Sequence, residues 1–232
     1  FVSVSTLQEM VAGATWAVAV DFRAFYYQFP VDPAVRDFFT FQAGSCRFRM
    51  CRLPMGFKWA VVIAQAMAKH VMATVRDCCV VQAFDVYIDN ILMVGTQTQC
   101  ERAKNRLLEV CRELGVTVGS VSDGPQVVHR GMYFDLAKQQ VSLSPDFVSK
   151  FCRRAHHNKG SWGEWRSQIG SAVYALLVLK IPLGHIYYVL KFWARHTFTE
   201  PKTKVTLFKQ KLAEKQQENR LSRFGLFGGG QA

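Results

Sequence analysis

A chain of 232 residues, half of them hydrophobic and 18 of them Phe, can bury a sizeable core as one large domain or two small ones, which excludes a disordered tail. Lys and Arg outnumber Asp and Glu by 29 to 17, for a net charge of +12; that balance favours a nucleic-acid partner, although a basic subunit of a larger complex such as a ribosome would share it. Seven cysteines without a Cys-x-x-Cys pair read as reduced, mostly core residues of an intracellular protein of nucleus or cytoplasm. With no signal peptide and no charge-free run of membrane-spanning length, no membrane partner is expected.

The first residue is Phe and strand-like sequence begins by residue 16, so the chain reads as a segment of a longer one. Residues 5–10 carry capping residues and a short helical pattern that ends near Gly13. Residues 16–21 read as a buried strand, and residues 36–42 and 46–52 as two β-like runs around Gly44, a hairpin. Leu53-Pro54-Met55-Gly56 is a turn before a long helix over residues 58–76. Residues 80–88 and 91–95 read as strands with Asp89 and Asn90 at their junction, a tight hairpin where Asn tolerates unusual backbone angles. An amphipathic helix over residues 99–114 is closed by Gly115, and a strand pair follows at about 127–134 and 139–143. Ser144-Pro145 opens a helical region of three helices to residue 196, the last started by Pro182. Residues 202–223 form a basic, Gln-rich helix candidate, and residues 224–232 a Gly-rich end.

Two carboxylates stand out against this background. Asp21 follows Ala17-Val18-Ala19-Val20, and Asp89 sits in the run Val86-Tyr87-Ile88-Asp89-Asn90-Ile91-Leu92-Met93-Val94, each the lone charge of its run. Burying a carboxylate in a β-branched strand is costly unless a cation or donor satisfies it. In a chain this basic, the pair points to a shared divalent metal site beside a polyanion. Two unrelated aspartates at strand edges are the alternative.

The order of a strand with Asp, a hairpin, a Leu-Pro-x-Gly turn, a long helix and a hairpin carrying Tyr-Ile-Asp-Asn resembles the palm of a reverse transcriptase, over residues 5–196. Asp21-Phe22-Arg23-Ala24-Phe25-Tyr26-Tyr27-Gln28-Phe29-Pro30 is similar to the family's first catalytic motif. Arg52-Leu53-Pro54-Met55-Gly56-Phe57, with Gln65 further on, is similar to the second. Tyr87-Ile88-Asp89-Asn90 resembles the Tyr-x-Asp-Asp box with its last Asp replaced, and Gly131-Met132-Tyr133-Phe134 through Leu143-Ser144-Pro145 the hairpin that leads into the thumb. One such match is weak; four in order at plausible spacing are specific.

The resemblance implies an α/β polymerase palm, an antiparallel sheet with helices, carrying partial fingers over residues 1–144. A helical thumb over 145–198 and a basic tail over 199–232 would follow. It implies RNA-directed DNA polymerase activity on an RNA template and primer duplex with dNTPs. Magnesium or manganese would be held by the catalytic carboxylates Asp21 and Asp89 and the carbonyl of Phe22. Tyr26 would pack under the sugar of the incoming nucleotide and exclude a 2′-hydroxyl, or else be a core aromatic. The amides of Ala24 and Phe25 would face the triphosphate, and Met55 and Gly56 the nucleotide and template base, unless those two merely turn the chain into the helix. Gln28, Gln65, Tyr87 and Asn90 complete the motifs. Arg52, Lys58 and Arg76 are candidate phosphate contacts or solvated surface. His156 and His157, beside Arg153 and Arg154, lack the Cys or carboxylate partners of a metal site and would belong to a basic patch or a solvated helix end.

Three departures from the family pattern stand in the sequence. Asn90 replaces the second acid of the box, the segment after Gly115 lacks the Lys expected to protonate the leaving pyrophosphate, and the triphosphate-clamping fingers would precede residue 1. Residues 168–170 and 181–185 resemble the region after the palm of the tyrosine-recombinase (DIRS-like) retroelements, and the Tyr-Ile-Asp-Asn box resembles that of VIPER-type elements. No acidic set for the ribonuclease H domain of those elements is found here. A catalytically inactive relative that binds RNA or scaffolds a ribonucleoprotein is the rival reading; an RNA-templated RNA polymerase is disfavoured by Tyr26.

Overall fold

A computed structural model describes residues 1–156 and 161–197, which form two compact units split after Pro182. His157 and the sequence elements expected after residue 198 lie outside the described residues. The first unit is built on a four-stranded antiparallel sheet of β1 (Trp16–Phe22), β4 (Ala83–Tyr87), β5 (Asn90–Gly95) and β6 (Val118–Gly124), in the order β4-β5-β1-β6. Alternation along β1 sorts its side chains by face. Val18, Val20 and Phe22 enter one apolar cluster, whereas Ala17 and Ala19 belong to the other.

Helices α2 (Ala60–Arg76) and α3 (Gln97–Glu113) cover the first face. Ala60, Ala64 and Ala68 recur every four residues on α2, so a row of small side chains brings its backbone close to the sheet. Thr96 and Gln99 form a capping box that starts α3, which buries Cys100, Ala103, Leu107, Val110 and Cys111 as one stripe. Burying a large side chain such as Phe22 stabilises the fold by about 1.5–3 kcal/mol. The second face carries α1 (Val4–Val11), capped by Ser3 Oγ accepting from the Thr6 N–H at 3.1 Å. It also carries the three-stranded sheet of β7 (Gln126–His129), β8 (Met132–Asp135) and β9 (Gln140–Leu143), together with α5 (Trp162–Val178) through Val178 and Tyr174. β2 (Thr40–Ala43) and β3 (Cys46–Arg49) make a separate exposed hairpin, and α4 (Pro145–His156) leads into α5. The described part of the second unit is a 3-10 turn, Leu183–Ile186, running into α6 (Tyr187–Thr197). No helix of the described residues is long and apolar enough to cross a membrane.

Several sequence expectations shift. Residues 36–39 are not strand but the end of a 3-10 helix, Pro33–Phe39. Asp32 Oδ1 accepts from the Ala34 N–H at 2.8 Å, and Pro33 fixes a helical φ directly after it. The run at 127–134 is two strands, because Arg130 and Gly131 take φ of 51° and 77° and close a hairpin between them. β6 carries no apolar alternation and has five exposed residues in a row, so its edge position left no periodic signal. Only Cys100 and Cys111 are buried, their thiols pushed up to about 11 by burial, whereas Cys46, Cys51, Cys78 and Cys152 are exposed.

Candidate active site

Pairing register sets three side chains in one row at the end of the sheet. Asp21 of β1 pairs with Asn90 of β5, and Asn90 pairs with Tyr87 of β4. Directly opposed residues of an antiparallel sheet point to the same face, so Asp21, Asn90 and Tyr87 share theirs. Ile88 and Asp89 make the two-residue turn between β4 and β5. The left-handed residue there is Ile88, with φ 59°, and not Asn90, which is already in strand. A β-branched residue in that region is strained. Two features hold it. The Ile88 side chain packs on the α2/α3 cluster, and the Gln65 amide of α2 grips the turn: Oε1 accepts from the Ile88 N–H at 2.7 Å, and Nε2 donates to the Val86 carbonyl at 2.8 Å.

The turn is tied to β1 by the Phe22 N–H, which donates to the Asp89 carbonyl at 2.8 Å. This tie sets Asp89 beside Asp21. Burial, and after it the Asp89 charge, raises the Asp21 pKa above the ordinary carboxylate value. Asn90 Nδ2 donates to Asp89 Oδ1 at 2.9 Å, so the residue in place of the second acid of the box steadies the first. Tyr26 is buried in the cluster covered by α2 and α3, near Asp89. Its hydroxyl pKa is raised by burial, then by Asp89 and Tyr87, and it stays protonated at neutral pH. A donor set of two half-buried carboxylates, the Asp89 charge making ionisation of Asp21 costlier, with neither thiolate nor imidazole, suits a hard divalent cation. Among the described residues no group of three or more His, Cys, Asp or Glu side chains clusters for a metal.

The neighbouring loop is equally constrained. Ala24 takes φ 48° and turns the chain into a short 3-10 helix, Phe25–Gln28, with Phe25 buried. Gln28 binds this loop to the approach of β6: Nε2 donates to the carbonyls of Arg23 and Thr117 at 2.6 and 3.0 Å, and Oε1 accepts from the Thr117 N–H at 2.8 Å. Opposite Asp21, β6 slips register, pairing Ser120 with Asp21 and Val118 with Phe22. The extra residue is Gly119, where an added Cβ would stand 3.1 Å from Asp21 Oδ2. Gly119 belongs to none of the motifs, and its strand carries no periodic signal that would single it out.

The turn at 53–56 is anchored to the same loop. Arg52 bridges Pro30 and donates from Nη1 to the Gln28 carbonyl at 3.3 Å. Met55 is exposed and Gly56 takes φ 93° with open space where a Cβ would be. Lys58 stacks over Trp59 at 5.2 Å. Arg76 ends α2, eleven residues beyond Gln65 and hence about 16 Å further along the helix.

A family model described as reverse transcriptase (RNA-dependent DNA polymerase) matches residues 3–120. The chain belongs to the reverse transcriptase family. Its α/β fold, an antiparallel sheet with helices, is like the reverse transcriptase part of foamy viral protease-reverse transcriptase. The structure of the foamy viral dRH form in complex with dsDNA superposes with a TM-score of 0.58 at 15% identity, covering 75% of this chain and 30% of that one. The foamy viral protein in complex with an RNA/DNA hybrid gives 0.55 at 16%, covering 72% and 22%. The chain thus spans about a third or less of the length of these structures, and identities this low speak for the fold alone. No curated protein matches the sequence. The matched span holds every residue of the row and turn just described, together with Gln28, Gln65 and Gly119.

Proposed function

We propose that the chain is the RNA-directed DNA polymerase palm of a retrotransposon protein, adding dNTPs to a primer 3′-hydroxyl on an RNA template. The observation that carries this reading is the juxtaposition of Asp21 and Asp89 at the end of the sheet, fixed by the pairing of Asp21 with Asn90 and by the Phe22 N–H bond to the Asp89 carbonyl. Asp21, Asp89 and the Phe22 carbonyl would be the oxygens that hold magnesium or manganese. Bound there, the ions would activate the attacking hydroxyl and stabilise the leaving pyrophosphate. Tyr26 bars a ribose 2′-hydroxyl, the amides of Ala24 and Phe25 face the triphosphate, and Met55 and Gly56 meet the nucleotide and template base on their open turn. A net charge of +12 suits a duplex partner, and the foamy viral relatives were captured with dsDNA and with an RNA/DNA hybrid. On this reading residues 1–144 are palm with partial fingers, residues 145–198 begin the thumb, and the protein works inside the cell. The DIRS-like motif matches favour a tyrosine-recombinase element.

Asn90 favours the second reading, an inactive relative that binds RNA or scaffolds a ribonucleoprotein, since the amide brings no negative charge to the ions. Primer extension by the full-length protein separates the two. Wild type should extend a DNA primer on RNA with magnesium or manganese. Asp21→Asn and Asp89→Asn should abolish extension while primer–template affinity stays nearly intact. Extension at near wild-type rate by either variant would show the metal assignment to be wrong.

A further inference from the structure

Two residues before Tyr87 on β4, and on the same face of the sheet, lies a buried ionic cluster that the proposed chemistry does not use. The Asp85 side chain is 1% exposed; its Oδ2 lies 2.9 Å from His129 Nε2 and accepts from Arg130 Nη1 at 3.3 Å. A buried carboxylate persists only when paired, so this cluster pins β4 to the hairpin of β7 and β8. Arg130 reaches further than its partner carboxylate. The same Nη1 donates to the Val2 carbonyl at 3.0 Å, and the guanidinium carbon stands 4.5 Å from the centroid of the Tyr87 ring. Its backbone is fixed in a left-handed conformation that few non-glycine residues adopt, with its carbonyl accepting from the Tyr174 hydroxyl of α5. The next carbonyl, of Gly131, accepts from the Ser144 N–H at 2.9 Å. Tyr87 in turn closes the Ile88-Asp89 turn by pairing with Asn90.

We propose that Arg130 is a positioning residue for this turn. By stacking on Tyr87 while bonded to Asp85, it lets the β7–β8 hairpin hold Asp89 in place beside Asp21. Plain neutralisation of Asp85 is the competing role, and the two separate in a double variant. Asp85→Asn with Arg130→Met removes the buried carboxylate together with the guanidinium that neutralises it, so Asp85 leaves no unpaired charge, yet the cation over Tyr87 is gone.

Amide hydrogen exchange on the full-length protein reads the turn without any catalysis. In the double variant the Ile88 and Phe22 amides, bonded to Gln65 and to the Asp89 carbonyl, should exchange about tenfold faster or more, while Val18 and Val20 of β1 keep their protection. Arg130→Lys, which keeps a cation near the ring, should fall between wild type and the double variant, and it serves if the double variant folds poorly. Unchanged exchange at Ile88 and Phe22, or a rise spread evenly through the sheet, would overturn the proposal. A kinetic arm rests on the polymerase reading. Single-turnover nucleotide incorporation by the double variant should slow by between about tenfold and a hundredfold, with the active fraction and primer–template affinity unchanged. Wild type unable to incorporate would sink the polymerase reading alone, leaving the exchange result to decide the role of Arg130.

Discussion

Asn90 shows how one atom changes the work of a position. Its amide cannot ligate a cation as a carboxylate does, but it donates to Asp89 Oδ1, leaving Asp21 as the single charged neighbour of Asp89 in the row. Tyr26 is equally specific: a buried ring whose hydroxyl pKa is raised by burial and then by Asp89. Tyr26→Ala should raise ribonucleotide over deoxyribonucleotide incorporation, measured in competition on one template, and an unchanged ratio would return Tyr26 to core packing alone. Asp85 carries a pH signature. Burial pushes its pKa up, but the hydrogen bonds and charges of His129 and Arg130 outweigh that and hold it below the ordinary carboxylate value. A depressed carboxylate contributes stability that is complete above the unfolded pKa, about 3.9, and is lost as pH falls through the folded one. Urea unfolding should therefore show wild type losing stability on acidification below about pH 4, with Asp85→Asn losing less across the same interval. Equal losses would mean Asp85 is not the acid-sensitive group.

At the scale of elements, the site is a turn held from three sides: by Gln65 of α2, by Phe22 of β1 and by the pairing of Tyr87 with Asn90. Gln65→Ala removes two hydrogen bonds and leaves a strained Ile88 without its clamp. It should cost about 2–3 kcal/mol in denaturant unfolding, whereas a loss under about 0.5 kcal/mol would show that the turn keeps itself. β1 and β5 were legible as continuous apolar runs because both faces of the sheet are covered, and the striped helices α2 and α3 because one-sided burial imposes a period on sequence. β6 was not, because an exposed edge strand is free to carry Ser and Asp. The split of β7 from β8 was hidden for a different reason: Arg130 occupies a turn position that local chemistry assigns to Asn or Gly, and only tertiary contacts to Asp85 and Tyr87 explain it. Likewise, the residue with the unusual backbone in the Tyr-Ile-Asp-Asn box was legible as a turn but not as Ile88, since its clamp lies 23 residues upstream in sequence.

For the molecule as a whole, the order of motifs along the chain carried the family and the α/β fold, because a palm sheet built as β4-β5-β1-β6 joins Asp21 and Asp89 only through long-range pairing. Composition alone reached no further than a folded basic protein. On the proposed function, Asp21 and Asp89 together form a working metal site despite Asn90. The most direct test is primer extension by the full-length protein, titrated with manganese, for wild type and Asn90→Asp. Two unit charges about 4 Å apart interact by roughly 4 kcal/mol at an effective dielectric near 20, so an added charge beside a divalent ion is favourable, and repulsion from Asp21 and Asp89 cuts that gain considerably. Asn90→Asp should reach half-maximal extension at lower manganese, with turnover equal or higher. Flat, inactive titrations of both forms, from well-folded protein, would contradict the proposed function.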